Sequence, residues 1–250
     1  MSFSFVSNHA PLRNAYLTFG FSVASILLSY ILMQCVLYPG LWLTPLNMLD
    51  HQAMVLLNFD GGPVADRFFY RYSHLNWWLP LAVVTVCYTI GNRQLSWRNR
   101  LMFILLLAVM LTFSDQLTSS IIKPLVGRFR PSHDMMVAPL LHYVGDYRGG
   151  CYGFVSGHAA NICCLATLLA YIYRSRAMRL MLLVFALTMC YSRIYLGVHY
   201  PGDIFCGAAI GIGIAWLAIK IAPKNLLPRY NRVPWGIIVV WAATVAVMLF

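Results

Sequence analysis

Apolar residues in this chain come in long runs separated by short polar clusters, without the alternation or 3.6-residue stripe of a soluble domain. Runs over residues 15–37, 101–122, 157–173, 180–198 and 203–219 approach the roughly 20 apolar residues that cross a bilayer, and each predicts a spanning helix. A shorter run over 77–91, with Pro80 near its start, predicts one more. Residues 41–60 mix Trp42, Leu46, Met48, Leu49, Met54, Leu56 and Leu57 with Asp50, His51, Gln52 and Asn58, and hold Pro45. That mixture reads as a segment lying at the membrane interface. Asp60-Gly61-Gly62-Pro63 is a turn. Residues 123–155 form one long polar loop, and 235–250 is apolar but marginal in length. The pattern predicts an all-α, polytopic transmembrane bundle of six spans, or seven if 235–250 crosses. No linker divides it, so residues 1–250 read as a single domain.

Composition agrees with lipid as the solvent. Hydrophobic residues are 60% and charged residues 10%, against about a quarter charged in soluble domains. A net charge of +11 raises the question of nucleic acid, but the bases form short clusters between apolar runs, as the positive-inside rule produces. No nucleic-acid partner is expected. With the N-terminus in the cytoplasm, Arg13, then Arg93, Arg98 and Arg100, then Arg174, Arg176 and Arg179, then Lys220 to Arg232 fall inside. Asp50, Asp60, Asp66, Asp134 and Asp146 fall outside. The chain has no Glu, and its histidines lack metal-ligand spacing, so neither metal nor cofactor is expected. Six of the seven cysteines lie in apolar stretches and Cys151 lies in the loop, which gives no disulfide framework.

Three polar clusters sit at span ends on the outer side: Lys123 to Pro131, Ser156-Gly157-His158, and Ser192 to Asp203. Arg193 lies about two turns inside a span, where an unpaired guanidinium costs roughly 2.5–3.5 kcal/mol. Phosphate answers three cations at once, because guanidinium forks match its oxygens. Ser156 is a good N-cap, and amides of a helix starting at Gly157 would face an anion with the positive dipole end behind them. His158 and His199 supply a nucleophile and a proton donor. Asp203 follows His199 by four residues, with Pro201 at a first helical position, so its carboxylate is placed to orient one ring nitrogen. Asp115, with Ser114, Gln116 and Thr118 to Ser120, lies roughly 12 Å inward of Lys123 at 1.5 Å per residue, and a structural role is expected for it. Gly207-x3-Gly211 predicts close helix packing inside the bundle.

K-x6-R-P at Lys123, Arg130 and Pro131, S-G-H at Ser156 to His158, and S-R-x5-H-x3-D at Ser192 to Asp203 together resemble the signature of the type 2 phosphatidic acid phosphatase family. Those membrane lipid phosphatases share a catalytic core with vanadium haloperoxidases. The resemblance implies a haloperoxidase-like phosphatase core over about 101–222 and metal-independent removal of phosphate from a lipid phosphate or pyrophosphate. It implies His199 as the nucleophile forming a phosphohistidine, Asp203 as its orienting partner and His158 as general acid. Lys123, Arg130, Ser156, Gly157 and Arg193 would bind the phosphate. Val155 stands where the family usually has Pro.

The expected partners are the bilayer and a membrane lipid: undecaprenyl pyrophosphate, lipid A, phosphatidylglycerol phosphate or phosphatidic acid. The expected site is a bacterial inner membrane with the active site facing the periplasm. Two other readings use the same residues. A phosphotransferase would pass the phosphoryl group to a second lipid, and a silent anionic-lipid binder would leave His158, His199 and Asp203 without a task.

Overall fold

A computed structural model describes residues 45–91 and 95–250. The expected first span at 15–37, with Arg13, Cys35 and Arg93, lies outside the described residues. Within them the chain is helical, with two isolated bridges, Phe129–Tyr152 and Tyr173–Tyr230.

Helix α1 is Pro45–Leu57 and α2 is Gly62–Ser73. Asp60 Oδ1 accepts from the Gly62 amide at 2.8 Å in the turn between them. A 3-10 turn, Leu75–Trp78, leads into α3, Leu79–Gly91. Pro80 falls in the first turn of α3, where a missing N–H costs no intrahelical bond. Helix α4, Trp97–Gln116, is capped by Ser96, whose Oγ accepts from the Asn99 amide at 3.3 Å. Arg98 and Arg100 therefore belong to its first turn rather than to a loop. A π-helical stretch, Leu117–Ile122, and one α-turn, Lys123–Val126, continue α4 until Gly127 ends it at φ 62°. Helix α5 is Gly157–Ile172, α6 is Arg176–Tyr195, α7 is Pro201–Ile221 and α8 is Trp235–Leu249.

Three helices among the described residues are long and apolar enough to cross a membrane: Trp97–Val126, Arg176–Tyr195 and Pro201–Ile221. Leu75–Gly91, Gly157–Ile172 and Trp235–Leu249 are shorter apolar helices. Helix α2 was not foreseen from the sequence. Asp66, Arg67 and Arg71 interrupt its apolar pattern, yet it buries Tyr72 and Ser73 against the bundle.

Helix α5 is the centre of the packing, in contact with α4, α6 and above all α7. Lipid is as apolar as Leu, so helices associate in a membrane mainly through close approach of small residues. A Cβ at Gly207 would run into the Ser156 carbonyl, and one at Gly211 into the Ala160 carbonyl. The Gly207-x3-Gly211 face is thus internal, as expected. Helix α8 packs on α3 and α2, and α2 on α6. The main core gathers Tyr72, Trp78, Phe103, Leu168, Met178 and Phe185.

A second, smaller core holds Met54, Val137, Leu141, Ala159, Ile194, Tyr200 and Ile204, and it corrects the reading of the segment after residue 44. Met54 is fully buried while Leu46, Met48, Leu49 and Leu56 face outward. Asn58, just past the helix, accepts from the His142 amide at 2.7 Å and donates to the Tyr195 carbonyl at 2.7 Å. The segment is therefore a helix pinned to the end of α6 and to the long loop, rather than merely an interfacial one.

Candidate active site at the end of the bundle

The turn between α6 and α7 builds the centre of the site. Gly197, at φ 72°, reverses the chain after α6. Pro201 then opens α7, and Asp203 Oδ2 accepts from the Tyr200 amide at 3.0 Å, which fixes the carboxylate in the first turn. His199, only 1% exposed, stands between this carboxylate and the cations. Its Nδ1 lies 3.5 Å from Asp203 Oδ2, within ion-pair reach but without hydrogen-bond geometry. Its Nε2 lies 3.4 Å from Arg130 Nη1. Guanidinium only donates, so Nε2 is the acceptor and the ring proton belongs on Nδ1, toward Asp203. Burial, then Arg130, Arg193 and Lys123, push the His199 pKa well below its ordinary value, which keeps the ring neutral.

Behind Asp203 lies a group that sequence reasoning missed. Arg128 Nη1 donates to Asp203 Oδ1 at 2.9 Å, while Nη2 donates to Asp50 Oδ2 at 2.7 Å and Asn47 Oδ1 at 2.8 Å. Its guanidinium also lies over the Tyr200 ring, 4.1 Å from the centroid. Asp50 Oδ1 accepts from the Gly202 amide at 2.7 Å. Burial works against the Arg128 charge, but Asp203 and Asp50 outweigh it and raise its pKa. Burial lifts the Asp50 carboxyl, with Arg128 and the Gly202 amide pulling it back. The available signal was an arginine inside the K-x6-R-P cluster, two residues before Arg130.

In front of His199 stand three cations. Arg193 is 2% exposed and donates to Ser73 Oγ and, at 3.0 Å, to Tyr147 Oη, while its Nε has no partner. Arg130 Nε donates to the Tyr152 carbonyl at 3.1 Å. Gly149, at φ 68°, lets the loop backbone approach; a Cβ there would lie 2.8 Å from Arg130 Nη1. The Lys123 ammonium makes no hydrogen bond and no ion pair within 4 Å among the described residues. Nor does any carboxylate lie within 4 Å of Arg130 or Arg193. Burial, and after it the nearby Arg193 charge, lower the Arg130 pKa.

Helix α5 completes the pocket, with one change to the expected roles. Ser156 Oγ accepts from the Ala159 amide at 3.4 Å, and its own amide donates to the Asp203 carbonyl at 2.9 Å. Ser156 therefore caps the helix and ties it to α7, leaving the Gly157 and His158 amides free of a backbone acceptor. Val155, where the family usually has Pro, is fully buried.

A cavity of about 1070 Å³ is lined at one end by Lys123, Arg130, Gly157, His158, Arg193 and His199. At the other it is lined by Leu169, Met178, Met181 and Ile237. Of the predicted residues, Ser156 and Asp203 do not line it; they sit behind those that do. Away from the cavity, Asp60, Asp66 and His142 bring ligand atoms within 4.8 Å of one another, which their spacing did not suggest. His142 Nε2 already bonds Asp66 Oδ1 at 2.9 Å, and that oxygen also accepts from Tyr195 Oη at 2.6 Å. These bonds tie α2 to the loop and α6.

A helical membrane bundle with a cationic pocket around a carboxylate-backed histidine defines a class, and residues 99–227 match the PAP2 superfamily model. The chain belongs to the PAP2 superfamily; it is an integral membrane protein and, by class, a lipid phosphatase. It is 36% identical over 180 residues to the lipid A 4'-phosphatase of Bacteroides thetaiotaomicron, covering 72% of this chain and 79% of that protein. It is 32% identical over 173 residues to the lipid A 4'-phosphatase of Porphyromonas gingivalis, covering 69% and 72%. Its fold resembles the crystal structure of a transmembrane PAP2-type phosphatidylglycerolphosphate phosphatase from Bacillus subtilis, with a TM-score of 0.57 at 20% identity. That match covers 80% of this chain and 98% of the other.

Proposed function

We propose that the protein hydrolyses a phosphate ester of a membrane lipid through a phosphohistidine on His199. The observation that carries this reading is the neutral, buried His199, with Asp203 on Nδ1 and three cations lacking carboxylate partners before Nε2. Nε2 attacks phosphorus and the P–O bond to the lipid breaks. The departing oxygen takes a proton from His158, which lines the same cavity. Lys123, Arg130, Arg193 and the first amides of α5 hold the equatorial oxygens, where charge develops. His158, now the base, takes a proton from water as that water attacks phosphorus. The P–N bond breaks, and phosphate leaves with His199 restored.

The similarity to two lipid A 4'-phosphatases puts a phosphorylated glycolipid first among candidate substrates, ahead of undecaprenyl pyrophosphate, phosphatidylglycerol phosphate and phosphatidic acid. The site opens at the end of α5 opposite Arg174, Arg176 and Arg179. By the positive-inside rule this supports an outward-facing site in a bacterial inner membrane. The test is phosphate release from a lipid A 4'-phosphate by the parent and by His199→Ala, both in excess EDTA. Release by the parent alone supports the reading. Equal release by His199→Ala refutes the assigned nucleophile, and transfer to added lipid in place of free phosphate turns the reading to phosphotransfer.

A further inference from the structure

Beside the anion pocket stands a carboxyl group that has no part in holding phosphate. Asp115, near the end of α4, lines the cavity together with Gln116, Ser119 and Asn161. It is only partly buried, and it sits close to the start of α5: a Cβ at Gly157 would lie 3.9 Å from its Oδ1. The sequence alone suggested a carboxyl hydrogen-bonded within the bundle, but the bundle supplies little. Its one side-chain partner among the described residues is Asn161 Nδ2, at 3.5 Å, the outer limit of a hydrogen bond. Among the described residues no cation lies within 4 Å of it. A carboxyl group in a membrane span is costly and marks a functional position by default.

We infer that Asp115 determines substrate specificity by accepting a hydrogen bond from a hydroxyl or amide N–H on the part of the lipid next to its phosphate. This rests on the lipid phosphatase reading of the same cavity. A carboxylate beside an anion pocket repels the anion unless a donor stands between them. It therefore favours lipids that bring such a donor. A phosphorylated, N-acylated sugar carries several. A diacylglycerol phosphate offers only ester acceptors near its phosphate, and a polyprenyl phosphate begins its hydrocarbon at the phosphate-bearing carbon. Past this polar belt the lining turns apolar, through Leu165 and Leu169 to Met181 and Ile237, and suits the acyl portion of the same molecule.

The test measures binding, so that it does not depend on turnover. In the His199→Ala background, the affinities for an N-acylated glucosamine phosphate lipid and for dioleoylphosphatidic acid are compared with and without Asp115→Leu. The expected result is a roughly tenfold or greater loss for the glucosamine lipid, the scale of a hydrogen bond to a charged acceptor. Phosphatidic acid affinity should hold or improve. Asp115→Asn, which keeps an acceptor and its size, covers the case in which the Leu variant fails to fold, and should give a smaller loss in the same direction. Equal changes for both lipids, no change for either, or binding of neither overturns the inference. Failure of the phosphatase reading shows separately, as no phosphate release from either lipid by the parent.

Discussion

Arg128 is the place where one substitution separates positioning from chemistry. Arg128→Met keeps an unbranched, flexible side chain of shorter reach and removes the charge shared by Asp203 and Asp50. The side chains of Arg128 and Asp203 are 9% and 0% exposed, so bulk water does little to screen the pair. Removing one partner of a buried ion pair costs about 3–5 kcal/mol. The Tyr200 and Gly202 amides remain on the two carboxylates, which places the loss at the lower end, ~3 kcal/mol. Carboxylates deprived of their cation bind protons at higher pH, and a protonated Asp203 loses the negative charge that faces His199 Nδ1.

The expected loss of kcat at neutral pH is roughly 100-fold, ~2.7 kcal/mol. A merely structural role would lower activity evenly across pH. A positioning role moves the acid limb of kcat/KM upward and restores part of the activity under alkaline conditions. Arg128→Lys keeps one charge but loses the fork that reaches Asp203, Asp50 and Asn47 together. It should fall between parent and Met in both melting temperature and rate. The assay is phosphate release in detergent micelles from pH 5 to 9, with thermal unfolding alongside. Arg128→Met with a rate within threefold of the parent and an unmoved pH profile would refute the reasoning.

Four further outcomes follow from the geometry. Gly211→Ala places a methyl against the Ala160 carbonyl and should cost about 1–3 kcal/mol, read by thermal unfolding. Gly213→Ala, with nothing within 4 Å, should be neutral or stabilising by up to about 1 kcal/mol in the same assay. His199 has a folded pKa below its unfolded value of about 6.5, so below pH 6.5 the unfolded chain binds the extra proton. Stability should then fall as pH drops below 6.5 in phosphate-free buffer, and His199→Gln should abolish that part of the acid loss in melting curves. Asn58→Ala leaves the His142 amide and the Tyr195 carbonyl without their partner. A loss of about 1–3 kcal/mol is expected in denaturant titrations.

The legible part of the site is the part made of charge at span ends. Lys123, Arg130, His158, Arg193 and His199 announce themselves because cations and imidazoles clustered where apolar runs end have to be explained, and all five meet at one cavity. Asp203 was legible from its spacing, since four residues with a proline between them fix a helix start. What stayed hidden was supplied across long separations. Asp50 meets Arg128 over 78 residues, and nothing local in a mixed, proline-bearing segment shows that its helix turns one carboxylate toward a neighbouring arginine. Ser156 was read correctly as a cap, but its amide is spent on the Asp203 carbonyl, an interhelical bond that no single-segment pattern encodes. The π-helical stretch before Lys123 leaves no sequence trace either.

These hidden contacts explain why the site sits on helix ends rather than in a flexible loop. His199 is held from the front by Arg130 and from behind by Asp203, and Asp203 is itself held by Arg128, which α1 anchors through Asp50 and Asn47. Asp203 and Arg128 behind the histidine are buried and paired, whereas the cations before it lack acidic partners. Pre-organisation of that kind places electrostatic attraction where charge develops and nowhere else. The same logic bears on Val155. A proline at that position would stiffen the approach to α5. Here the Ser156 amide bonded to the Asp203 carbonyl, together with a fully buried Val155 side chain, fixes that approach by other means.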